Sequence, residues 1–214
     1  MKRFLLGACL GLLVSLGATA AENTDAAVPP DELVKGATTQ FQDLIAKNHE
    51  AYAQDLDLFF SVVDEVVVPH FDTKAIARLV LGRNWKKATK EQRDRFENAF
   101  KSSLVQTYAR AMLDYHDSVN TEWKPLRAAP DAKRVTVNVD LLRKDAPAIP
   151  LAFSLHDRGH GWKVYDLSVE NISLVTSFRS QINAQIKSKG LDSVIEQLES
   201  NTYFKKPPEN ASEG

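Results

Sequence analysis

Residues 161–182 join a strand pattern directly to a helix pattern, with no glycine or proline between them. They read GWKVYDLSVENISLVTSFRSQI. Alternation places two groups of apolar residues on opposite sides of the strand, Trp162 and Val164 on one and Tyr165, Leu167 and Val169 on the other. A strand that is apolar on both sides is typical of a strand that is covered on both sides. The pattern therefore predicts a central strand, with helices or a cavity against each of its faces.

The first twenty residues have the pattern of a secretory signal peptide. Lys2 and Arg3 precede an apolar run from Phe4 to Leu16, and the small residues Ala18-Thr19-Ala20 follow. The run is shorter than the roughly 20 residues of a membrane-spanning helix. We expect cleavage after Ala20 and export of a soluble chain.

Composition narrows the class of protein. A chain of 214 residues that is 43% hydrophobic and 26% charged fits one globular domain, or two closely packed subdomains. When Lys2 and Arg3 are excluded, the chain has 25 basic and 28 acidic residues, which gives a net charge of −3. This charge argues against nucleic-acid binding and against permanent residence on an anionic membrane. Cys9 is the one cysteine; it would leave with the signal peptide, and the short apolar stretch before it disfavours lipid attachment there.

The first half of the expected domain has helical periodicity. Asp72 is a good N-cap and Gly82 a good C-terminal residue for one helix, whereas Thr89 and Gln92 form a capping box for the longest. Pro69 ends the helix before Asp72. The predicted helices span residues 31–50, 56–68, 73–81 and from about 90 to 117.

The second half changes to strand alternation and then returns to helix. Predicted strands run from Val135 to Leu141, from Ile149 to Leu155 and from Trp162 to Val169, with a weaker strand at 119–126. Short turns between them favour an antiparallel meander of about four strands. Helices are predicted at 176–189 and 191–201. The order of elements predicts an α+β fold.

The domain boundaries follow from these patterns. We expect a signal peptide at 1–20, a flexible lead at 21–30 and a single domain at 31–204. Within that domain we expect helices at 31–117, a sheet at 119–174 and closing helices at 176–201. A disordered tail is expected at 205–214.

Few side chains suggest catalysis or metal binding. His156 and His160 flank a turn with Asp157, but a polar hairpin tip is favoured over a cation site, and no established metal or nucleophile motif is present. Tyr165, Asp166 and Glu170 leave open an isomerase or hydratase in a cupped α+β pocket. Solvated or structurally paired carboxylates are the favoured interpretation at strand ends, and no cofactor is predicted.

Two further features concern cations. The basic cluster, which we define as Lys86, Lys87, Lys90, Arg93 and Arg95, is favoured as a solvated helix face, with a docking patch for an acidic partner or a lipid headgroup as the alternative. Arg179 is expected to stabilise the junction between sheet and helix, through a carboxylate such as Glu170. Contact with a phosphate is its alternative role.

Several stretches share their order and spacing with one protein family. They are VVPHFD (67–72), IARLVLG (76–82) with Trp85, ATKEQ (88–92), Phe96 and Phe100, LVQTYA (104–109), WKVYDL (162–167) and residues 173–181. In these stretches the chain resembles the MlaC or toluene-tolerance family of periplasmic phospholipid-binding proteins. The resemblance extends from about Asp31 to Leu198. Asn171 stands where relatives often have glycine, but asparagine tolerates a left-handed backbone.

The resemblance implies a helical subdomain on a curved sheet, around an apolar pocket that holds the acyl chains of a glycerophospholipid. It implies a soluble periplasmic carrier with neither metal nor ATP of its own, active in outer-membrane lipid asymmetry. The implied partners are an outer-membrane lipoprotein–porin complex and an inner-membrane ABC transporter with an MCE-domain subunit. Contact with membrane complexes would be transient. A protein-binding adaptor with a filled core remains a third alternative.

For the pocket wall, the resemblance and the strand pattern together give two sets of residues. The strand set is Val137, Val139, Leu151, Phe153, Val164, Leu167 and Val169, and the helical set is Leu79, Phe100, Leu104 and Tyr108. Lys86, Lys87, Lys90 and Arg93 are the expected docking residues for a partner that triggers release.

Overall fold

The structure is a computed structural model, and it describes residues 28–114, 120–129, 131–143 and 146–204. The predicted signal peptide, residues 21–27 of the flexible lead and the tail at 205–214 lie outside the described residues. So does the predicted end of the longest helix near Asp117.

Helices occupy the first half of the described chain. They are α1 (Pro30–Gln54), α2 (Leu56–Val66), α3 (Thr73–Leu81), α4 (Arg83–Lys87) and α5 (Lys90–Asp114), with a 3₁₀ turn at Val68–His70. No described helix is both long and apolar enough to cross a bilayer. The sequence predicted four of these helices and missed the short α4.

A sheet and two more helices complete the described fold. They are β1 (Asn120–Trp123), β2 (Arg134–Leu142), β3 (Ile149–Asp157), β4 (Trp162–Val169), β5 (Ile172–Ser173), α6 (Leu174–Lys189) and α7 (Leu191–Glu199). The order β1-β2-β3-β4-β5, antiparallel throughout, confirms the α+β meander and adds the two-residue β5.

Local capping sets the helix starts that the sequence predicted. The Asp72 carboxylate accepts the Ala75 N–H at 2.8 Å at the start of α3. The Thr89 hydroxyl accepts the Gln92 N–H at 3.1 Å, and the Gln92 side chain accepts the Thr89 N–H at 3.0 Å, before α5. These bonds satisfy amide groups that have no partner within the first helical turn.

The expectation that β4 is apolar on both sides is wrong, because a β-bulge changes its alternation. Leu155 pairs with Val164 whereas Ser154 pairs with Asp166, so Tyr165 is an extra residue without a partner on β3. The bulge brings the apolar residues on either side of Tyr165 to the same face, Trp162 and Val164 before it and Leu167 and Val169 after it. Nor is β4 central: β3 lies in the middle of the sheet.

The free edge of β4 is covered by the connection between α2 and α3. Phe71 forms an isolated parallel bridge with Val164, and the Asp72 N–H donates to the Val164 carbonyl at 2.9 Å. Lys163 Nζ donates to the Pro69 carbonyl at 2.6 Å. The bond to the Val164 carbonyl occupies a backbone group that an edge strand otherwise leaves open to other chains.

Buried side chains of the described residues form three separate clusters. The helical core joins α3, α5, α6 and α7 around Val80, Phe96, Phe100 and Ile182. A second cluster joins α1, α2 and α5 around Tyr52 and Phe59. The third packs Val34 of α1 against the sheet. Helix α1 therefore contributes to two of these clusters. Within α1, Asn48 has non-helical φ and ψ angles and lies between Ile45 and Tyr52.

Candidate functional site

The strand pairing places all seven predicted strand residues of the pocket wall on one face of the sheet. Residues directly opposite each other in an antiparallel pair share a face. We call this surface the apolar face. Its three rows are Val135–Leu155–Val164, Val137–Phe153–Leu167 and Val139–Leu151–Val169.

Burial of the apolar face changes from one end to the other. Leu155 and Val164 are 0% and 2% exposed and pack in the cluster that contains Val34 of α1. On β3 and β4, the next two rows are less covered. There Leu151, Phe153, Leu167 and Val169 are all half-buried. The structure thus leaves apolar surface in a layer between the sheet and the helices incompletely covered.

The four predicted helical residues are not all brought to this face. Phe100 lies in the helical core, with ring centroids 5.6 Å from Phe96 and 5.4 Å from Phe178. Leu104 is half-buried against that same core. Tyr108 is half-buried, and burial raises the pKa of its phenol. Leu79 is half-buried on α3.

Trp123 and Ile172 extend the apolar face beyond the wall residues predicted from the sequence. Trp123 of β1 pairs with Val139, and Ile172 of β5 pairs with Val169. Both extend the Val139–Leu151–Val169 row, Trp123 at one end and Ile172 at the other. Trp123 stands in a weak strand pattern, and β5 is too short for alternation to reveal it.

The residues of the acid–base alternative serve structural contacts. Asp166 pairs with Ser154, on the face opposite the apolar one. Its carboxylate accepts the Ser173 hydroxyl at 2.6 Å and the Val175 N–H at 3.1 Å, at the start of α6. Tyr165 stacks on His156 at 4.9 Å. Glu170 is exposed in the β4–β5 turn.

The two histidines of the β3–β4 hairpin have different surroundings. His156 is 5% exposed, and its Nε2 lies 2.8 Å from Oδ2 of Asp72. His160 is exposed. Arg158 lies 3.7 Å from the same Asp72 oxygen. His156 therefore joins the sheet to α3, with a carboxylate that also caps that helix.

Most of the basic cluster is engaged within the protein. Arg93 donates from Nε to the Trp85 carbonyl at 2.8 Å and lies over the Trp85 ring. Lys90 pairs with Asp94 at 2.6 Å, and Arg95 forms a two-pronged pair with Glu199. Lys86 and Lys87 are exposed, and neither is bonded to another side chain of the described chain.

Arg179 does not contact Glu170, contrary to one expectation for it. Its Nε donates to the Leu79 carbonyl at 2.6 Å, in the last turn of α3. Asn183, one turn later on α6, donates to the Val80 carbonyl at 2.9 Å. A Cβ at Gly82 would lie 3.4 Å from Arg179 Nε. The structural role of Arg179 is thus to satisfy the C-terminus of α3, where a cation is favourable.

An open groove of about 520 Å³ lies elsewhere, along α1 between Glu32 and Lys47. Most of its lining side chains are polar or charged, and none belongs to the apolar face. Such a lining does not suit acyl chains. We therefore take the half-buried apolar face, rather than this groove, as the candidate functional site.

A sequence model of the MlaC protein family matches residues 35–200. The chain belongs to the MlaC family. Toluene tolerance protein ttg2D of Pseudomonas putida is 31% identical over 183 residues, covering 85% of this chain and 84% of that protein. MlaC of Haemophilus influenzae, described as an intermembrane phospholipid transport system binding protein, is 21% identical over 173 residues, covering 79% and 80%.

A solved structure of another protein has the same fold. It is the phospholipid-binding protein from Ralstonia solanacearum, determined in complex with a phospholipid. It is 28% identical to this chain, with a TM-score of 0.74, and the match covers 81% of this chain and 96% of that structure.

Proposed function

We infer that this member of the MlaC family is a carrier that binds phospholipid and moves it between membranes. The observation that carries the inference is the apolar face, a contiguous surface of aliphatic and aromatic side chains whose β3 and β4 residues stay half-buried in two of its three rows. Acyl chains of a phospholipid would complete its burial. The related Ralstonia protein, which has the same fold, binds a phospholipid.

The energetics of acyl chains explain why such a protein is needed. Each buried methylene is worth about 0.8 kcal/mol, so one sixteen-carbon chain costs on the order of 12 kcal/mol to expose to water. A lipid with two chains costs roughly twice as much. Diffusion of free lipid across an aqueous compartment is therefore negligible. A soluble carrier must cover the chains, whereas the headgroup can remain in water.

We propose that the wall of the lipid site consists of the seven strand residues predicted from the sequence, with Trp123 and Tyr108 beside them. Leu104 is left out because it packs against the helical core. Phe100 is left out because its ring is surrounded by other rings of the helical core. Leu79 is left out because it belongs to α3, where Ala77, Val80 and Leu81 lie in the helical core. Affinity from such a wall depends on the acyl chains and little on the headgroup.

We further propose that the protein works in the periplasm and exchanges lipid with two membrane complexes. One is the outer-membrane lipoprotein–porin complex, and the other is the inner-membrane ABC transporter with its MCE-domain subunit. Release of two acyl chains into water is too unfavourable to be spontaneous, so a partner must open the site or offer a competing apolar surface. Within the basic cluster, Lys86 and Lys87 are exposed and are our candidates for contact with such a partner.

Native mass spectrometry of the purified protein tests the carrier proposal. The expected spectrum shows the protein with one or more phospholipids, and extraction returns glycerophospholipid. A spectrum of lipid-free protein after gentle handling, with no extractable phospholipid, would argue against a carrier and for an adaptor with a filled core.

Substitutions in the wall refine this test. Leu151→Trp and Phe153→Trp place extra volume on the apolar face and should lower lipid occupancy while the protein stays folded. Trp is also introduced at Leu58, an exposed α2 residue that is 43% accessible, as a control that should keep normal occupancy. Normal occupancy in the first two variants would remove Leu151 and Phe153 from the wall.

Charge reversal tests the docking proposal. Lys86→Glu with Lys87→Glu should weaken binding to one of the two membrane complexes, measured with purified complexes on a biosensor surface. The matched control is Lys35→Glu with Lys47→Glu, an equal change of charge on exposed residues of α1. Equal binding by both double variants would exclude Lys86 and Lys87 as docking residues.

We propose no catalytic step. Asp166 and Tyr165, the residues of the isomerase or hydratase alternative, are engaged in the α6 cap and in the stack on His156. Neither belongs to the rows of the apolar face.

A further inference from the structure

One row of the apolar face runs from the interior of the protein to the solvent. Val139 pairs with Leu151, Leu151 with Val169, and Val169 with Ile172. Val139 is 1% exposed, Leu151 and Val169 are half-buried, and Ile172 is 60% exposed. These four side chains share a face, so apolar surface continues without a break to the edge of the sheet.

Ile172 is held in place from both sides. Before it, Glu170 and Asn171 form a two-residue hairpin turn with φ of 51° and 65°, values of a type I′ turn. After it, Ser173 accepts the Thr176 N–H at 3.0 Å and donates to Asp166 at 2.6 Å, which fixes the start of α6. The exposed Ile172 side chain therefore lies between a defined turn and a defined helix start, and not in a mobile loop.

The same end of the sheet offers a natural comparison. Leu142, the last residue of β2, is 38% exposed. It follows Leu141, which pairs with Ile149, so alternation places Leu142 on the face opposite the apolar one. Leu142 and Ile172 therefore differ in whether they continue the proposed lipid wall.

We propose that Ile172 is the point at which acyl chains of a glycerophospholipid pass on and off the apolar face. This inference rests on the proposed carrier function and specifies where the lipid is transferred. A chain that leaves the Leu151–Val169 part of the row meets the Ile172 side chain before it meets water. Because exposure of methylenes to water is unfavourable, an apolar contact at this point lowers the barrier to loading and release alike.

Exchange kinetics test this role. The protein is incubated with donor vesicles of phosphatidylethanolamine and phosphatidylglycerol that contain a fluorescent phospholipid, and with unlabelled acceptor vesicles. Ile172→Thr keeps a β-branched side chain in the strand and removes apolar contact. We expect roughly three- to tenfold slower exchange, with normal lipid occupancy by native mass spectrometry, because the contact is made only in transit. Ile172→Leu should restore the rate.

Leu142→Thr is the matched control and should exchange lipid at the wild-type rate. A normal rate for Ile172→Thr, or an equal loss in Leu142→Thr, would overturn the role of Ile172 and leave the carrier function intact. A loss of occupancy equal to the loss of rate would also overturn it, since Ile172 would then belong to the resting site. A wild-type protein that neither holds nor exchanges phospholipid would overturn the carrier function itself.

Discussion

Nε2 of His156 lies 2.8 Å from Oδ2 of Asp72, and this contact joins the middle of the sheet to the first turn of α3. The second Asp72 oxygen caps α3 through the Ala75 N–H. The Asp72 side chain is 21% exposed, so a carboxylate that loses this partner stays largely shielded from water. Leaving a buried hydrogen-bonding group without a partner is more costly than the bond itself is worth.

We expect His156→Leu to lower the free energy of unfolding by about 1–3 kcal/mol. Urea unfolding followed by tryptophan fluorescence measures the change. His156→Gln, which keeps a donor, should lose less, and His160→Leu in the exposed turn should lose under about 0.5 kcal/mol. Equal losses in the Leu and Gln variants would show that stacking on Tyr165, and not the Asp72 contact, stabilises this junction.

His70 should make stability depend on pH. Burial, and then the nearby Lys163 ammonium, lower the pKa of His70 below its ordinary value of 6.5. In the unfolded chain this histidine takes up a proton more readily, so stability falls as the pH drops below about 6.5. His70→Gln should lose less stability than wild type between pH 7 and pH 5, measured by urea unfolding at each pH.

NMR titration separates the two causes of the His70 shift. Lys163→Met should raise the pKa of His70 without restoring it to 6.5, because burial, the larger cause, remains. Lys35→Met, on the exposed side of α1, should leave it unchanged. A His70 titration that is the same in wild type and Lys163→Met would contradict the electrostatic contribution.

The β4–β5 turn stores strain that substitution can release. Glu170 has a φ of 51° although it is neither glycine nor asparagine. Type I′ turns favour Asn-Gly, so Glu170→Asn should raise the free energy of unfolding by roughly 0.5–1 kcal/mol. Asn171→Ala, at a φ of 65°, should lower it by about 1 kcal/mol. Thermal unfolding measures both, and Glu196→Asn on α7 is a helical control in which the same exchange should be slightly destabilising. A loss of stability in Glu170→Asn would contradict strain at this turn.

Elements that depend on nearby residues were predicted closely from the sequence. The bounds of α3 were predicted to the residue, because Asp72 and Gly82 mark its two ends. The bounds of β4 were also predicted to the residue. For both α3 and β4, the residues that determine the bounds lie within the element or next to it.

The bulge at Tyr165 could not be predicted, because it depends on a partner strand. Alternation along β4 counts every residue, whereas the face of each side chain depends on how β4 aligns with Ser154 and Leu155 of β3. The same applies to the candidate site. Phe100 and Phe153 are both apolar residues in regular elements, and only the tertiary structure assigns one to the helical core and the other to the apolar face.

Those two phenylalanines provide a matched test, because the same substitution should act differently at each. Phe100→Leu should lower the free energy of unfolding by about 1–2 kcal/mol equally in lipid-free and lipid-loaded protein, since the ring contacts only the core. Phe153→Leu should cost less in the lipid-free protein and should reduce the stabilisation gained on loading, because a ligand that binds less tightly stabilises the folded state less. Unfolding midpoints of delipidated and reloaded samples of each variant measure both the loss of stability and the stabilisation gained on loading. If loading stabilises both variants as much as wild type, Phe153 does not contact lipid; if Phe100→Leu alone reduces the gain, the acyl chains lie against the helical core.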